Sequence, residues 1–250
     1  MTGNHFLDRL PPADRDAVMA GLSPVILTAG SVVIEQGRPV ETVHFPTTAY
    51  LANVTLTPTG RRLQTAVIGR EGLSGLAPFM ANTACAWEVN CPADGNAFAG
   101  SAARLRQLSD ERPEFRRRLL ALTHFYQAQS NQLAVCNAFH HVESRIARWI
   151  LTVMERTGRD RLAITQHDIA TDLGIQRTSV VAGFQKLKRD HLVRHMRGRL
   201  EVADWPGLKA RACSCYGRIE SLAEEVDIAP VRQSDSKVSA SRHSEPVVSA

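Results

Sequence analysis

The sequence has no run approaching the roughly 20 consecutive apolar residues that a membrane helix needs, so no membrane span is expected. Residues 1–16 are polar and carry acids, unlike a secretory leader, and a cytoplasmic protein is therefore expected. Aromatic residues make up only 6% of the chain, but the hydrophobic content of 44% is sufficient for packed cores. A length of 250 residues favours two domains.

Cysteine is also scarce, with 5 residues and no Cys-x-x-Cys pair. An odd number in a reducing compartment predicts free thiols. Cys213 and Cys215 are separated by one residue, which is poor spacing for a chelate loop, so no metal site is predicted. An enzyme is not expected either, because no nucleophile–base set, phosphate-binding glycine loop or carboxylate pair occurs in a recognisable motif.

Residues 165–192 have the pattern of two short helices joined by a tight turn. Thr165 and Asp168 have the spacing of a helix N-cap and its reciprocal acidic partner. Gly174 follows, where the first helix must end in a left-handed conformation. The second helix carries apolar residues at helical spacing: Val180, Val181, Phe184 and Leu187. The spacing predicts a helix-turn-helix whose second helix reads DNA; an ordinary helical hairpin in a core is the alternative.

The charge distribution supports the DNA interpretation. Residues 138–216 contain 14 Lys and Arg against 8 Asp and Glu, whereas residues 1–137 contain 12 against 11. Residues 194–202 form two short extended runs around a glycine, which predicts a basic β-hairpin, or wing. A polyanionic partner explains why positive charge concentrates beside the predicted reading helix.

The first half of the chain has the pattern of strands. Short apolar runs between residues 25 and 68 are separated by Gly- and Pro-containing turns, which predicts a small antiparallel sandwich or barrel. A further strand pair is predicted over residues 84–99, with its turn at residues 92–95. A purely structural domain that binds no ligand has the same periodicity.

A long helix is predicted from about residue 113 to residue 138. Its apolar residues recur in steps of four and three, with Gln129 in the same register: Phe115, Leu119, Leu122, Tyr126, Leu133 and Cys136. This heptad seam favours a dimerisation helix, in which a polar residue would fix the register. A helix lying along its own β-domain is the alternative.

These patterns divide the chain into four parts. Residues 1–110 are the strand-rich domain, residues 111–138 the connecting helix, residues 139–216 the DNA-binding domain, and residues 217–250 a disordered tail. The order resembles the Crp/Fnr superfamily of bacterial transcription regulators over residues 5–216. The segments that carry the resemblance are 37–48, 68–73, 142–149, 166–187 and 197–199.

The resemblance implies an α+β fold with an N-terminal antiparallel β-roll of the cyclic-nucleotide-binding type, a dimerisation helix and a C-terminal winged helix-turn-helix. It implies a homodimer on a near-palindromic double-stranded DNA operator, with RNA polymerase as a further candidate partner. Arg177 matches a base-reading position and can form two hydrogen bonds with guanine, with Gln176 and Thr178 beside it. The complete set of expected DNA contacts is Thr165, Gln166, Gln176, Arg177, Thr178, Ser179, Lys186, Arg197 and Arg199.

The sequence departs from the family pattern in the sensor. The effector pocket implied by the resemblance involves Gly72, Leu73, Thr83 and Ala84. No acid follows Gly72 and no arginine occurs in residues 82–89, so binding of cyclic AMP in the family's usual mode is not expected. No cysteine precedes Cys85, which excludes the family's N-terminal iron–sulfur cluster, and no cofactor is expected. The alternative function is a small-molecule sensor that acts through protein–protein contacts and binds DNA weakly.

Overall fold

The computed structural model of the chain describes residues 1–196 and 199–228. The N-terminal half begins with two short helices and continues mainly as strands. In chain order these elements are α1 (His5–Asp8), α2 (Pro12–Met19), β1 (Leu22–Leu27), β2 (Val32–Ile34), β3 (Thr42–Pro46), β4 (Tyr50–Leu56), β5 (Arg62–Ile68), α3 (Leu76–Ala81), β6 (Glu88–Ala93) and β7 (Gly95–Ser101).

The seven strands form two antiparallel sheets, ordered β1-β7-β3 and β2-β6-β4-β5. Their inward residues, including Val43, Phe45, Leu51 and Val89, are fully buried in one core. Buried positions alternate with half-buried ones along β6, which shows why the short apolar runs form strands with one face inward.

The prediction that residues 84–99 form a pair of adjacent strands is wrong. β6 and β7 are both strands, but β6 pairs with β2 and β4, whereas β7 pairs with β1 and β3. The chain passes from one sheet to the other at Asp94, whose side chain accepts a hydrogen bond from the backbone N–H of Ala29. β6 and β7 are consecutive in sequence but lie in different sheets, and strand periodicity alone does not reveal this.

Two helices, α4 (Ala102–Glu111) and α5 (Pro113–Phe139), follow the sheets. The interpretation of the heptad seam on α5 as a dimer contact is wrong. Phe115, Leu119, Leu122 and Cys136 are fully buried within this single chain, Leu133 is 6% exposed, and Tyr126 packs against the main core. The seam is therefore covered by the chain's own domains, because a periodic apolar stripe specifies burial without specifying the partner.

Gln129, expected to fix a dimer register, has a different partner. Its side-chain oxygen accepts a hydrogen bond from the backbone N–H of Val67 at 2.9 Å, and the hydroxyl of Ser130 donates to the carbonyl of Thr65 at 3.0 Å. β5 is the edge of its sheet, so these two side chains of α5 satisfy backbone groups that a further strand would otherwise pair.

The C-terminal half is mostly helical and contains a three-stranded sheet of order β8-β10-β9. Its elements are α6 (Val142–Thr157), β8 (Arg161–Ala163), α7 (Gln166–Leu173), α8 (Arg177–Arg189), β9 (Val193–Met196), β10 (Arg199–Val202), α9 (Trp205–Arg211) and α10 (Cys215–Glu225). α6 buries Ile146, Trp149 and Ile150 over the helix-turn-helix. The predicted α+β class, with strands first and a winged helix-turn-helix last, is confirmed.

The prediction of a disordered tail from residue 217 is wrong as far as residue 228. α10 continues to Glu225, and Ile219, Ala223 and Ile228 are buried in the core of the N-terminal half. The remaining tail residues, 229–250, lie outside the described part. No helix among the described residues is both long enough and apolar enough to cross a membrane.

Candidate nucleic-acid interface

The predicted reading head is the helix-turn-helix formed by α7 and α8, and α7 begins with the predicted capping arrangement. The Thr165 side chain accepts from the backbone N–H of Asp168, and the Asp168 carboxylate accepts from the backbone N–H of Thr165 at 2.8 Å. Gly174 ends the helix in the left-handed conformation, with φ 63°. Both termini are thus fixed by local sequence, and they set the angle at which α8 follows.

α8 has one buried face and one exposed face. Val180, Phe184 and Leu187 are buried against α6. Gln176, Arg177 and Thr178, around the first turn, are exposed, and Ser179 is half-buried. Among the described residues Arg177 forms no ion pair, so its guanidinium is available to a ligand outside the chain.

The other predicted contacts occupy different environments. The Lys186 ammonium lies 3.3 Å from the Glu143 carboxylate, which also pairs with Arg211, so the charge of Lys186 is partly neutralised within the chain.

The Thr165 hydroxyl is engaged in its helix cap and Gln166 is half-buried beside it. Arg199 is exposed on the wing, and Arg197 lies outside the described residues. The DNA contacts as a set stay a prediction.

The first turn of α8 faces the β-roll across a cleft of about 640 Å³. One wall is formed by Gly60 and Arg61 of the turn between β4 and β5 and by Arg62 at the start of β5, and the other includes Gln176 and Arg177. A Cβ added at Gly174 would lie 2.7 Å from Leu63, so the reading head packs closely on β5. Two arginines of the β-roll therefore flank the predicted reading surface.

A chain of polar groups joins β5 to the reading head beneath this cleft. The indole N–H of Trp149 donates to the Gln64 side-chain oxygen at 3.1 Å, and the Gln64 amide donates to the Asp172 carboxylate at 3.2 Å. Burial, and next the negative charge of Asp168, raises the pKa of Asp172 to about 7. Asp172 thus titrates near neutral pH at the contact between the two halves.

The predicted effector segment makes a second polar contact between the halves. Glu71 is almost completely buried, accepts hydrogen bonds from the backbone N–H of Gly69, and lies 3.3 Å from the guanidinium of Arg156 on α6. A Cβ at Gly72 would collide with the Tyr126 hydroxyl, so α5 lies directly against this segment.

The four predicted pocket residues are divided between two environments. Gly72 and Leu73 are buried, the latter within the main core, whereas Thr83 and Ala84 are exposed after α3. The structure therefore does not bring the four together as the lining of one enclosed cavity. The effector pocket stays a prediction.

None of the five cysteines forms a disulfide in this structure, and three of them come together. Cys136, Cys213 and Cys215 lie with His140 in one cluster, and their ligand atoms are all within 4.8 Å of one another. Hydrogen bonding from Cys213, together with the positive charge of Arg148, lowers the pKa of Cys136. The cluster was not predicted from the sequence, although Cys136 and His140 have the one-turn spacing of helical ligands.

Comparison with known proteins is consistent with this geometry. Residues 144–211 match the Crp-like helix-turn-helix domain. No curated protein matches the sequence.

Solved structures share the fold. FixK2 from Bradyrhizobium japonicum superposes with a TM-score of 0.67 at 15% identity, over 77% of this chain and 98% of that one. The c-di-GMP-responsive global regulator CLP from Xanthomonas campestris superposes with a TM-score of 0.62 at 15% identity, over 78% of this chain and 100% of that one. A CRP-family transcriptional regulator from Thermus thermophilus superposes with a TM-score of 0.62 at 14% identity, over 75% of this chain and 96% of that one.

Proposed function

We propose that this chain is a sequence-specific DNA-binding transcription regulator, because residues 144–211 match the Crp-like helix-turn-helix domain and its fold is similar to that of solved Crp/Fnr regulators. The observation that carries the proposal is the first turn of α8. Gln176, Arg177 and Thr178 are exposed there while the opposite face of the helix is buried. A helix held by one face, with a free guanidinium at its N-terminal turn, suits insertion into the major groove.

Arg177 is the proposed base reader. A guanidinium can donate two hydrogen bonds to the O6 and N7 atoms of guanine, and such a pair discriminates against the wrong base by about 1–3 kcal/mol. Lys188, exposed near the other end of α8, is instead suited to a phosphate contact, which contributes affinity without specificity.

The test compares Arg177→Ala with Lys188→Ala on the full chain. Binding sites are selected from a random DNA pool, and affinities for the selected and a scrambled site are measured by gel shift at fixed salt. Arg177→Ala should reduce the preference for the selected site by about 5- to 150-fold, whereas Lys188→Ala should weaken both sites similarly. Wild-type binding without sequence preference would contradict the proposal and favour a sensor that acts through protein contacts.

We propose that the regulator is a homodimer and that the exposed side of α5 forms the contact. Leu120, Val135 and Phe139 are 54%, 45% and 79% exposed, although large apolar side chains are usually covered. Their helix already buries its opposite side in its own chain, so these residues remain for a twofold-related copy.

Sedimentation of the full chain tests the dimer. The Leu120→Glu/Val135→Glu double variant should sediment as a monomer, because it would place four carboxylates in the symmetric contact. Ile26→Glu, at an 81% exposed position on β1, is the matched control and should remain a dimer. A monomeric wild-type chain would contradict the proposal.

The signal proposed for this regulator is a molecule other than cyclic AMP, or none. The buried carboxylate of Glu71 already pairs with Arg156, and residues 82–89 provide no guanidinium for a cyclic phosphate. Titration calorimetry with cyclic AMP should detect no binding. A micromolar dissociation constant would overturn this part of the proposal.

A further inference from the structure

Four potential metal ligands meet where α5 ends. The Sγ atoms of Cys136 and Cys213 are 3.5 Å apart, and the Sγ atom of Cys215 lies 3.3 Å from Nδ1 of His140. The three cysteines are buried and His140 is half-buried. The cluster is separate from both the reading helix and the predicted effector segment.

The fold brings the ligands from three parts of the chain. Cys136 lies in the last turn of α5, and His140 is the residue that ends this helix, one turn further on. Cys215 begins α10, and Cys213 precedes it in the connection from α9, where its backbone N–H donates to the carbonyl of Ser144. The short Cys213–Cys215 spacing is workable because the other two ligands come from a neighbouring helix.

The distances fit one metal ion better than a disulfide. A disulfide bond is about 2.05 Å long, much shorter than the 3.5 Å between Cys136 and Cys213. A tetrahedral zinc ion with Zn–S bonds of about 2.3 Å separates its sulfurs by about 3.8 Å. An iron–sulfur cluster distributes its thiolates over several irons, which requires a wider arrangement than four ligand atoms within 4.8 Å.

The surroundings match the charge of such a site. Three thiolates and one imidazole around Zn²⁺ carry a net charge of −1, and the guanidinium of Arg148, 3% exposed, is positioned to offset it. The Nε atom of Arg148 has no hydrogen-bond partner among the described residues. The Gln132 amide donates to the Sγ atom of Cys215 at 3.1 Å, a contact that orients a ligating sulfur.

We propose that Cys136, His140, Cys213 and Cys215 bind one structural zinc ion in tetrahedral coordination. Thiolate and imidazole ligands favour zinc over magnesium or calcium, which prefer oxygen. Four protein ligands leave no open position, so the ion supports the fold and performs no chemistry. It joins the end of α5 to the connection between α9 and α10.

The metal content of the full chain tests the proposal. The protein is purified with a thiol reductant and no chelator, supplied with Zn²⁺, desalted and analysed by inductively coupled plasma mass spectrometry. Wild type and the control Cys91→Ser, changed at a buried cysteine of β6, should each retain one zinc per chain, and Cys215→Ser should retain almost none. A wild-type chain without zinc, or equal zinc in Cys215→Ser, would overturn the proposal.

A second measurement on wild type does not depend on how the variants fold. Chelation under reducing conditions should lower the melting temperature by about 5–15 °C, and Zn²⁺ but not Mg²⁺ should restore it. Co²⁺ in place of Zn²⁺ should give the thiolate charge-transfer and intense visible bands of tetrahedral cobalt. A melting temperature insensitive to both chelator and zinc, or a Cys136–Cys213 disulfide as the stable form under reductant, would contradict a zinc site.

Discussion

Two of the contacts that the β-roll makes with the rest of the chain differ in chemistry. α5 lies on it through apolar side chains, including Phe115, Leu119 and Leu122, all fully buried. α6 and α7 meet it through polar groups as well, namely the Gln64–Asp172 hydrogen bond and the Glu71–Arg156 ion pair. The apolar contact is independent of protonation, whereas the polar contact depends on each charged group keeping its partner.

The largest effect is expected when the buried ion pair of the polar contact is broken. Arg156→Ala should reduce the free energy of unfolding by about 3–5 kcal/mol, because the Glu71 carboxylate would be left buried without a counter-charge. The double variant Glu71→Gln/Arg156→Met removes both charges and should reduce the free energy of unfolding by less than Arg156→Ala does. Chemical denaturation checks both, and a single variant as stable as wild type would show that the pair does not hold the contact.

Shortening a buried side chain in the apolar contact should reduce the free energy of unfolding by nearly as much. Leu122→Ala should reduce the free energy of unfolding by about 2–5 kcal/mol, because it opens a cavity between α5 and the β-roll. Leu120→Ala, at a 54% exposed position on the same helix, should change the stability of the protomer by about 0.5 kcal/mol or less. Equal costs at both positions would remove the distinction between the two sides of α5.

The smallest effect, and the one that varies with pH, is expected at Asp172. Its pKa of about 7 in the folded chain exceeds the usual 3.8, so the folded state retains a proton that the unfolded state loses, and stability falls as pH rises from about 4 to 7. Asp172→Asn should abolish that slope and raise stability at pH 8 by about 1–2 kcal/mol, limited by partial exposure of the site. Denaturation at pH 5 and pH 8 measures the slope, and an unchanged slope in Asp172→Asn would assign it to another group.

Local signals account for the parts that the sequence predicted correctly. The Thr165–Asp168 cap, the left-handed Gly174 and the inward residues of α8 each depend on neighbours within a few positions, so local spacing was sufficient to predict the two helices and the turn between them. The fold class was predicted from the order of strand and helix patterns together with the family resemblance that this order supports.

The errors concern partners that are distant in sequence. The heptad spacing on α5 correctly indicated an apolar stripe, but nothing local distinguishes a second chain from the chain's own β-roll. The pKa of Asp172 is raised mainly because the fold buries this carboxyl where α7 meets β5, the strand of Gln64, which is 108 positions away. Cys136 and Cys213 are 77 positions apart, so only the folded chain shows that their sulfurs meet.

The core of the C-terminal half contains three residues of the β-roll, Tyr50, Val67 and Ala93. Neither half therefore has a complete interior of its own. A fragment cut at residue 139 would lose packing that no surface substitution restores, and the intact chain should melt as one cooperative unit in calorimetry. Any signal received by the β-roll consequently acts on an interior that both halves share.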